Sequence, residues 1–291
     1  MNEKRTVDGF GATAMIGFAA LLAINQVVVK VTGGGFSPVF QVALRSAGGI
    51  IFLLFWLRFR QIPMSLPQGT LIWGILSGLL FSFEFICLYI SLDLTTVSRA
   101  SIIFYSMPVW LALASHFVLP GEKLNAQRFL GLILALGGVA FAVLDQSSGK
   151  ESLTGDFLAL VAAVVWAAII LMLRLTPLQK VRAEMQLFLQ ISVSAVILLP
   201  IAPLFGDLLR NVQPVHVMGM LFQVICVVGL GYLGWFWLMK VYRANTVASF
   251  SFLSPVLAVL LGWLLLDEQI GTQIWVALML VAAGIFLINR R

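Results

Sequence analysis

The stretch Ser98–Leu144 reads SRASIIFYSMPVWLALASHFVLPGEKLNAQRFLGLILALGGVAFAVL, and its pattern decides the fold. One apolar run holds Tyr105-Ser106-Met107-Pro108, a short turn holds Pro120-Gly121-Glu122-Lys123, and a second apolar run carries Gly137-Gly138. The same order returns near the C-terminus as Phe252-Leu253-Ser254-Pro255, Leu266-Asp267-Glu268-Gln269 and Ala283-Gly284. Glu122 to Gly138 is 16 positions, as is Glu268 to Gly284, and the proline-to-glutamate intervals are 14 and 13. Upstream, Gly11 to Lys30 and Gly155 to Arg174 are both 19 positions of apolar chain ending in a base. Pro38-x-x-Gln41-x-x-x-Arg45 has a fainter counterpart in Met185-Gln186-x-x-x-Gln190. Matched spacings of this kind point to a duplicated half-chain, with 1–150 as one copy and 151–291 as the other.

Composition fixes the solvent. With 61% hydrophobic and 10% charged residues, against about 25% charged in soluble domains, the chain reads as a membrane protein. Ten apolar runs are long enough to span a bilayer: 12–31, 38–57, 69–91, 98–118, 126–144, 157–176, 186–205, 215–239, 246–266 and 272–289. The links are short, which leaves no room for a soluble catalytic domain. Cys87 and Cys226 both lie inside apolar runs and read as inert thiols. Helix 1 is expected to be retained, because its run exceeds a signal-peptide core and contains Asn25 and Gln26.

The net charge of +6 gives orientation rather than a nucleic-acid surface. Lys4, Arg5, Arg58, Arg60, Lys123, Arg128, Arg174, Lys180, Arg182, Lys240, Arg243, Arg290 and Arg291 fall on one side of the ten crossings. Only Lys30, Arg99, Lys150 and Arg210 fall on the other, so both termini are expected in the cytoplasm. Five helices per copy then make the second copy upside down relative to the first. Such an inverted repeat underlies many secondary transporters.

Polar residues inside the spans mark candidate sites. Asn25 and Gln26 sit near the middle of helix 1, and Arg45 about a third of the way into helix 2, with Gln41 one turn away. Glu84 is the only acid at the centre of any span. It reads as a proton carrier or a counter-ion for a substrate amine, with a structural pair to Arg45 as the alternative. Gly229-Leu230-Gly231-Tyr232-Leu233-Gly234-Trp235-Phe236-Trp237 combines glycines with large aromatics. Gly231 aligns with Glu84 through the prolines, and Tyr232 and Trp235 share a helix face. Trp237, beside Lys240, reads as interfacial. Ser101 and Tyr105 precede Pro108, and Ser249 and Phe252 precede Pro255, each proline freeing a carbonyl and allowing a flexible kink. Trp166 lies mid-span and is expected at a cavity. Glu122 and Glu268, at helix ends, are expected to cap or brace loops. His116 and His216 have no metal-ligand spacing, and neither a metal nor a cofactor is expected.

The duplicated ten-helix pattern, with Gly121-Glu122 and Asp267-Glu268 each leading into a glycine-bearing helix, resembles the EamA-type drug/metabolite transporter superfamily over nearly the whole chain. Arg45 matches an arginine often found in that superfamily, whereas the second copy has Gln190 there, so the two helices are not assigned one role. The resemblance implies a central cavity lined by helices 1, 3, 4, 6, 8 and 9, and a peripheral dimer or packing surface on helices 5 and 10. It implies transport of amino acids, quaternary amines, sugars or nucleotide sugars. Few cations are available to a cavity, which argues against multiply phosphorylated substrates. The expectation is an all-α inner-membrane carrier of ten spans that exports small amphipathic metabolites, hydrophobic or aromatic amino acids first. Carriers of quaternary amines, drugs or sugars remain open, as do a membrane-embedded enzyme and a passive channel. The expected partners are a small-molecule substrate and the lipid bilayer, with no nucleic acid.

Overall fold

In a bilayer every backbone polar group must be paired within the protein, so an apolar chain of this kind folds as helices. The computed structural model describes residues 8–119, 122–145, 152–242 and 250–289. The helices are α1 (Gly9–Thr32), α2 (Pro38–Phe59), α3 (Leu71–Leu94), α4 (Val97–Phe104), α5 (Met107–Val118), α6 (Ala126–Leu144) and α7 (Leu153–Leu175). There follow α8 (Ala183–Ile201), α9 (Pro214–Phe222), α10 (Tyr232–Val241), α11 (Leu253–Leu266) and α12 (Thr272–Asn289). A π-helical stretch, Gln223–Gly231, joins α9 to α10 within one span. Among the described residues, nine helical segments are long and apolar enough to cross a membrane, and Leu253–Leu266 is a shorter apolar helix. The molecule is a multi-pass, all-helical membrane protein.

The proline spans break where the sequence suggests. α4 stops at Phe104 and α5 restarts at Met107, with Pro108 in its first turn. Ser106 fills the break: its hydroxyl donates to the Ile103 carbonyl at 2.6 Å and accepts from the Trp110 indole at 3.1 Å. In the corresponding late span, a 3₁₀ turn at Phe250–Phe252 precedes α11. Ser249 lies outside the described residues, as do Gly121 and Lys150.

Some helix ends depart from the apolar-run boundaries because polar residues extend the helices. α7 starts at Leu153, not 157, since Ser152 caps it and the first-turn Asp156 is neutralised by Arg99. α3 continues to Leu94, past 91, with Asp93 bridged to Arg210. α8 runs from Ala183, not 186, to Ile201, where Pro200 leads into a 3₁₀ turn at Ala202–Phe205. Asp8, Thr96 and Asn125 cap α1, α4 and α6 through their side chains.

The halves interlock. α1 packs on α11, and α4 and α5 pack on α7; α2 meets α8 and the π stretch, and α3 meets α7 and α8. α6 and α12 pack along their length on glycines. A Cβ at Gly284 would lie 2.5 Å from the Gly131 carbonyl oxygen and 2.7 Å from Ala135 Cβ. Such proximity requires glycine, and close backbone approach is how membrane helices gain dispersion contacts. Leucine at 284 is expected to cost about 1–3 kcal/mol or more, because a helix carbonyl cannot step aside. A lowered thermal midpoint in detergent would register it, and an unchanged midpoint would contradict the packing.

One end of the molecule collects the cations assigned to the sparse side. Lys30 Nζ donates to the Thr95 carbonyl at 2.8 Å. Arg99 pairs with Asp156. Arg210 forms a fork with Asp93 at 2.7 and 2.8 Å, and these hydrogen bonds push its pKa above the ordinary arginine value. The opposite end holds the Asp8–Tyr242 contact, the Arg174–Glu122 pair and the Gln127 amide on the Leu287 carbonyl.

Candidate functional site

The buried polar residues converge about a third of the way into α2 and near the middle of α3. Arg45 is 1% exposed and Glu84 3%. Phe81, Phe85 and Tyr89 recur every four residues, so they form one stripe of α3. Their rings pack in sequence, 4.6 and 6.0 Å between centroids. The Arg45 guanidinium lies over the Phe85 ring, 3.9 Å from its centroid. Arg45 Nη1 donates to the Tyr89 hydroxyl at 3.0 Å, which donates to Gln223 Oε1 at 2.8 Å. Gln223 opens the π stretch, and π-bulges often mark functional sites.

Glu84 lies within the electrostatic reach of Arg45 but does not form an ion pair with it among the described residues. Tyr232 is within the same reach of Arg45, Glu84 and Tyr89. The structural pair considered as an alternative for Glu84 and Arg45 is therefore not made in this conformation.

A second part of the centre comes from α1, α4 and α7. The Gln26 amide lies beside the Tyr105 hydroxyl. Phe104 stacks on Trp166, 4.9 Å between centroids and 16° between planes. Ser101 is fully buried and its hydroxyl makes no hydrogen bond, so it does not bond back to its own helix. Asn25 Oδ1, Gln26 Oε1, Arg45 Nε and Nη2, and Gln223 Nε2 are also buried without a hydrogen-bond partner. An unmet buried polar atom costs about 1–3 kcal/mol, so this many near one level points to a ligand or water site.

Other candidates sit elsewhere. Trp235 stacks on Phe18 at 5.0 Å, in a cluster with Met15, Leu238 and Tyr242 near the start of α1. Gly231 faces Leu21 and lines a groove of about 200 Å³ with Gly17, Gly234 and Trp237. Phe252 packs on the apolar cluster between α4, α6 and α12. Trp237 is 42% exposed. Tyr232, not its face-mate Trp235, joins the Glu84 group. Both lie in α10 beyond the π stretch, and the rise of one turn carries Trp235 to Phe18.

The two motif glutamates behave differently. Glu268 is buried and reaches the N-terminus of α4, where it accepts from Val97 N at 2.6 Å, Ser98 N at 3.0 Å and the Ser98 hydroxyl at 2.6 Å. Asp267, in the left-handed conformation (φ 52°), turns the chain toward it. Gly262 makes the room: a Cβ there would lie 2.6 Å from Glu268 Oε2. This is capping, as expected, but of a helix in the other half. Glu122 is half-exposed and bridges to Arg174 at 3.1 Å. Six residues before Glu122 stands His116, not glycine, and its Nδ1 accepts from Leu124 N.

Gln190, in the position corresponding to Arg45, donates to Ser77 Oγ at 2.8 Å and ties α8 to α3. Sequence reasoning overlooked Tyr89 and Gln223. The signal for Gln223 was available, since an amide inside an apolar span calls for the scrutiny given to Asn25.

The model of the EamA-like transporter family matches residues 9–144 and again 153–290. A Pseudomonas aeruginosa chain described as an uncharacterized protein is 30% identical, covering 99% of this chain and 96% of its own length. A Bacillus subtilis uncharacterized transporter is 27% identical over 94% of this chain and 95% of its own. An Escherichia coli chain named a probable amino-acid metabolite efflux pump is 24% identical, with 93% of each chain covered. A crystal structure with 22% identity superposes with a TM-score of 0.66 over 95% of this chain and 96% of that one.

Proposed function

The chain belongs to the EamA-like transporter family, and on that premise we propose that it carries small amphipathic metabolites, amino acids first, by alternating access to the site around Arg45, Glu84 and Tyr232. The observation that carries this reading is the set of buried, unpartnered polar atoms contributed by α1, α2, α4 and the π stretch. Scattered hydroxyls at Thr32, Ser37, Ser91 and Ser115 are unpartnered too, so the concentration of amide and guanidinium atoms is what supports a site. The name of the Escherichia coli relative favours amino acids over the other classes.

Two inverted five-helix repeats supply the moving parts. The contacts support this division, because most have a mate under exchange of halves. α1 on α11 matches α4 on α7, and α2 on the π stretch matches α3 on α8, while α2–α8 and α6–α12 are self-mated. Lys30, Arg99 and Arg210 at one end support an orientation with that end outside and both termini in the cytoplasm. The membrane is the bacterial inner membrane and the direction is export. Glu268 on α4 latches the outer end, and its release accompanies opening there. Glu84 carries the coupling proton.

The decisive experiment is counterflow in proteoliposomes loaded with unlabelled amino acids, with no ion gradient. Saturable entry of a labelled subset is expected, aromatic and branched apolar amino acids foremost. If amines or sugars exchange and no amino acid does, the substrate assignment is wrong while the carrier reading stands. Ion conductance without saturation would point to a channel.

A further inference from the structure

We propose that Arg45 is the carboxylate receptor of the transport site, taking a substrate carboxylate on its Nε–Nη2 edge with the Gln223 amide as an additional donor. The inference rests on the carrier reading above and names the group that any accepted substrate must bear.

A guanidinium offers five N–H donors in one plane. Here Nη1 is engaged by Tyr89 and the flat face is covered by Phe85. What remains is the edge formed by Nε and Nη2, both buried and both without a partner. Those two N–H groups run parallel and match the two oxygens of a carboxylate, the bidentate geometry in which arginine exceeds lysine.

The network also orients Gln223. The Tyr89 hydroxyl accepts from Arg45, which has donors only, so its single proton goes to Gln223. The amide atom receiving that proton is the carbonyl oxygen, leaving Nε2 as a buried donor with no acceptor. One hydrogen-bonded chain thus ends in three unmet donors and no unmet acceptor. That is the signature of an anion site. It has a positive charge, is rigidly held by an aromatic face and a tyrosine, and lies beside a π-helical turn.

Charge leads to the same place. Leaving a buried guanidinium uncompensated is costly, and removal of a partner from a buried pair is strongly destabilising. Arg99, equally buried, has Asp156. Arg45 has no carboxylate within ion-pairing distance among the described residues. A transported anion removes that imbalance on binding.

The test uses ligands that differ only at the carboxyl: tryptophan and tryptophanamide, phenylalanine and phenylalaninamide. Binding is read as stabilisation of the purified protein in detergent and transport as counterflow. Wild type should favour each acid over its amide by about tenfold or more, the scale of losing charge-assisted hydrogen bonds. Arg45→Gln should abolish that preference by weakening the acid while sparing the amide, and Arg45→Lys should restore part of it. Gln223→Leu should reduce acid binding several-fold. An Arg45→Gln protein that keeps the preference overturns this assignment and leaves amino-acid transport standing. If Arg45→Gln fails to fold, the wild-type comparison still decides: discrimination below about twofold overturns the proposal. Exchange of amines alone overturns it together with the amino-acid assignment.

Discussion

Asp156→Ala is expected to destabilise the protein by about 3–5 kcal/mol, because it strands a buried charge. Arg99 and Asp156 are 1% and 3% exposed. Arg99 Nε and Nη2 both donate to the Asp156 carboxylate, and the remaining guanidinium donors meet the backbone carbonyls of Asp145 and Val143. The arginine thus ties the start of α4 to the end of α6 and the start of α7. Removing the carboxylate leaves the carbonyls but no countercharge, whereas removing both charges together is far less damaging. Asp156→Ala should therefore lower the thermal midpoint sharply, and Arg99→Met with Asp156→Leu should recover much of the loss, a non-additivity expected of directly coupled residues. A midpoint for Asp156→Ala close to wild type would show that water or a shifted helix already screens the pair.

This ion pair also shows where sequence reasoning stopped. Arg99 was legible as a base on the sparse side, but the apolar run begins at 157 and leaves Asp156 outside the helix. Their union was not legible, because 57 positions separate them and no local period links α4 to α7. The spans themselves were readable, since hydrophobicity over about 20 residues is a local property that the bilayer enforces. The broken proline spans followed from a local rule as well. Glu268 marks the boundary. Its position at a helix end implied capping, but the capped helix lies in the other half.

At the centre, type was legible and direction was not. Glu84, Arg45, Gln26 and Tyr105 announced themselves as polar groups in apolar runs, and Tyr232 as an aromatic beside glycines. Which face each presents depends on helical phase. Tyr232 and Trp235 share a face of α10, yet Tyr232 joins Glu84 while Trp235, one turn further along, stacks on Phe18. The order Arg45–Tyr89–Gln223 is tertiary, assembled from three segments, and only the placement of α2 against α3 and the π stretch reveals it.

Glu84→Gln is expected to reduce accumulation driven by an imposed proton gradient by about tenfold or more, an effect above 1.4 kcal/mol, and to flatten its pH dependence. Glu84 is 3% exposed at mid-length of α3, in the field of Arg45, yet is not locked to it. A carboxyl held in a tight pair would resist protonation. One that is near a cation but unpaired can load and release a proton as the site turns from one side to the other, and intramembrane acids serve as such relays in transporters. Glutamine preserves size and hydrogen bonding but cannot exchange a proton. Aspartate, one methylene shorter, should keep the pH dependence at an altered rate. Unchanged accumulation and unchanged pH dependence in Glu84→Gln would make the residue structural. The separation from Arg45 supplies an internal check, because the proposal puts carboxylate recognition and proton coupling on different side chains. A Glu84→Gln protein that still distinguishes an acid from its amide, but no longer concentrates the acid against its gradient, has lost the driving force and kept the selectivity.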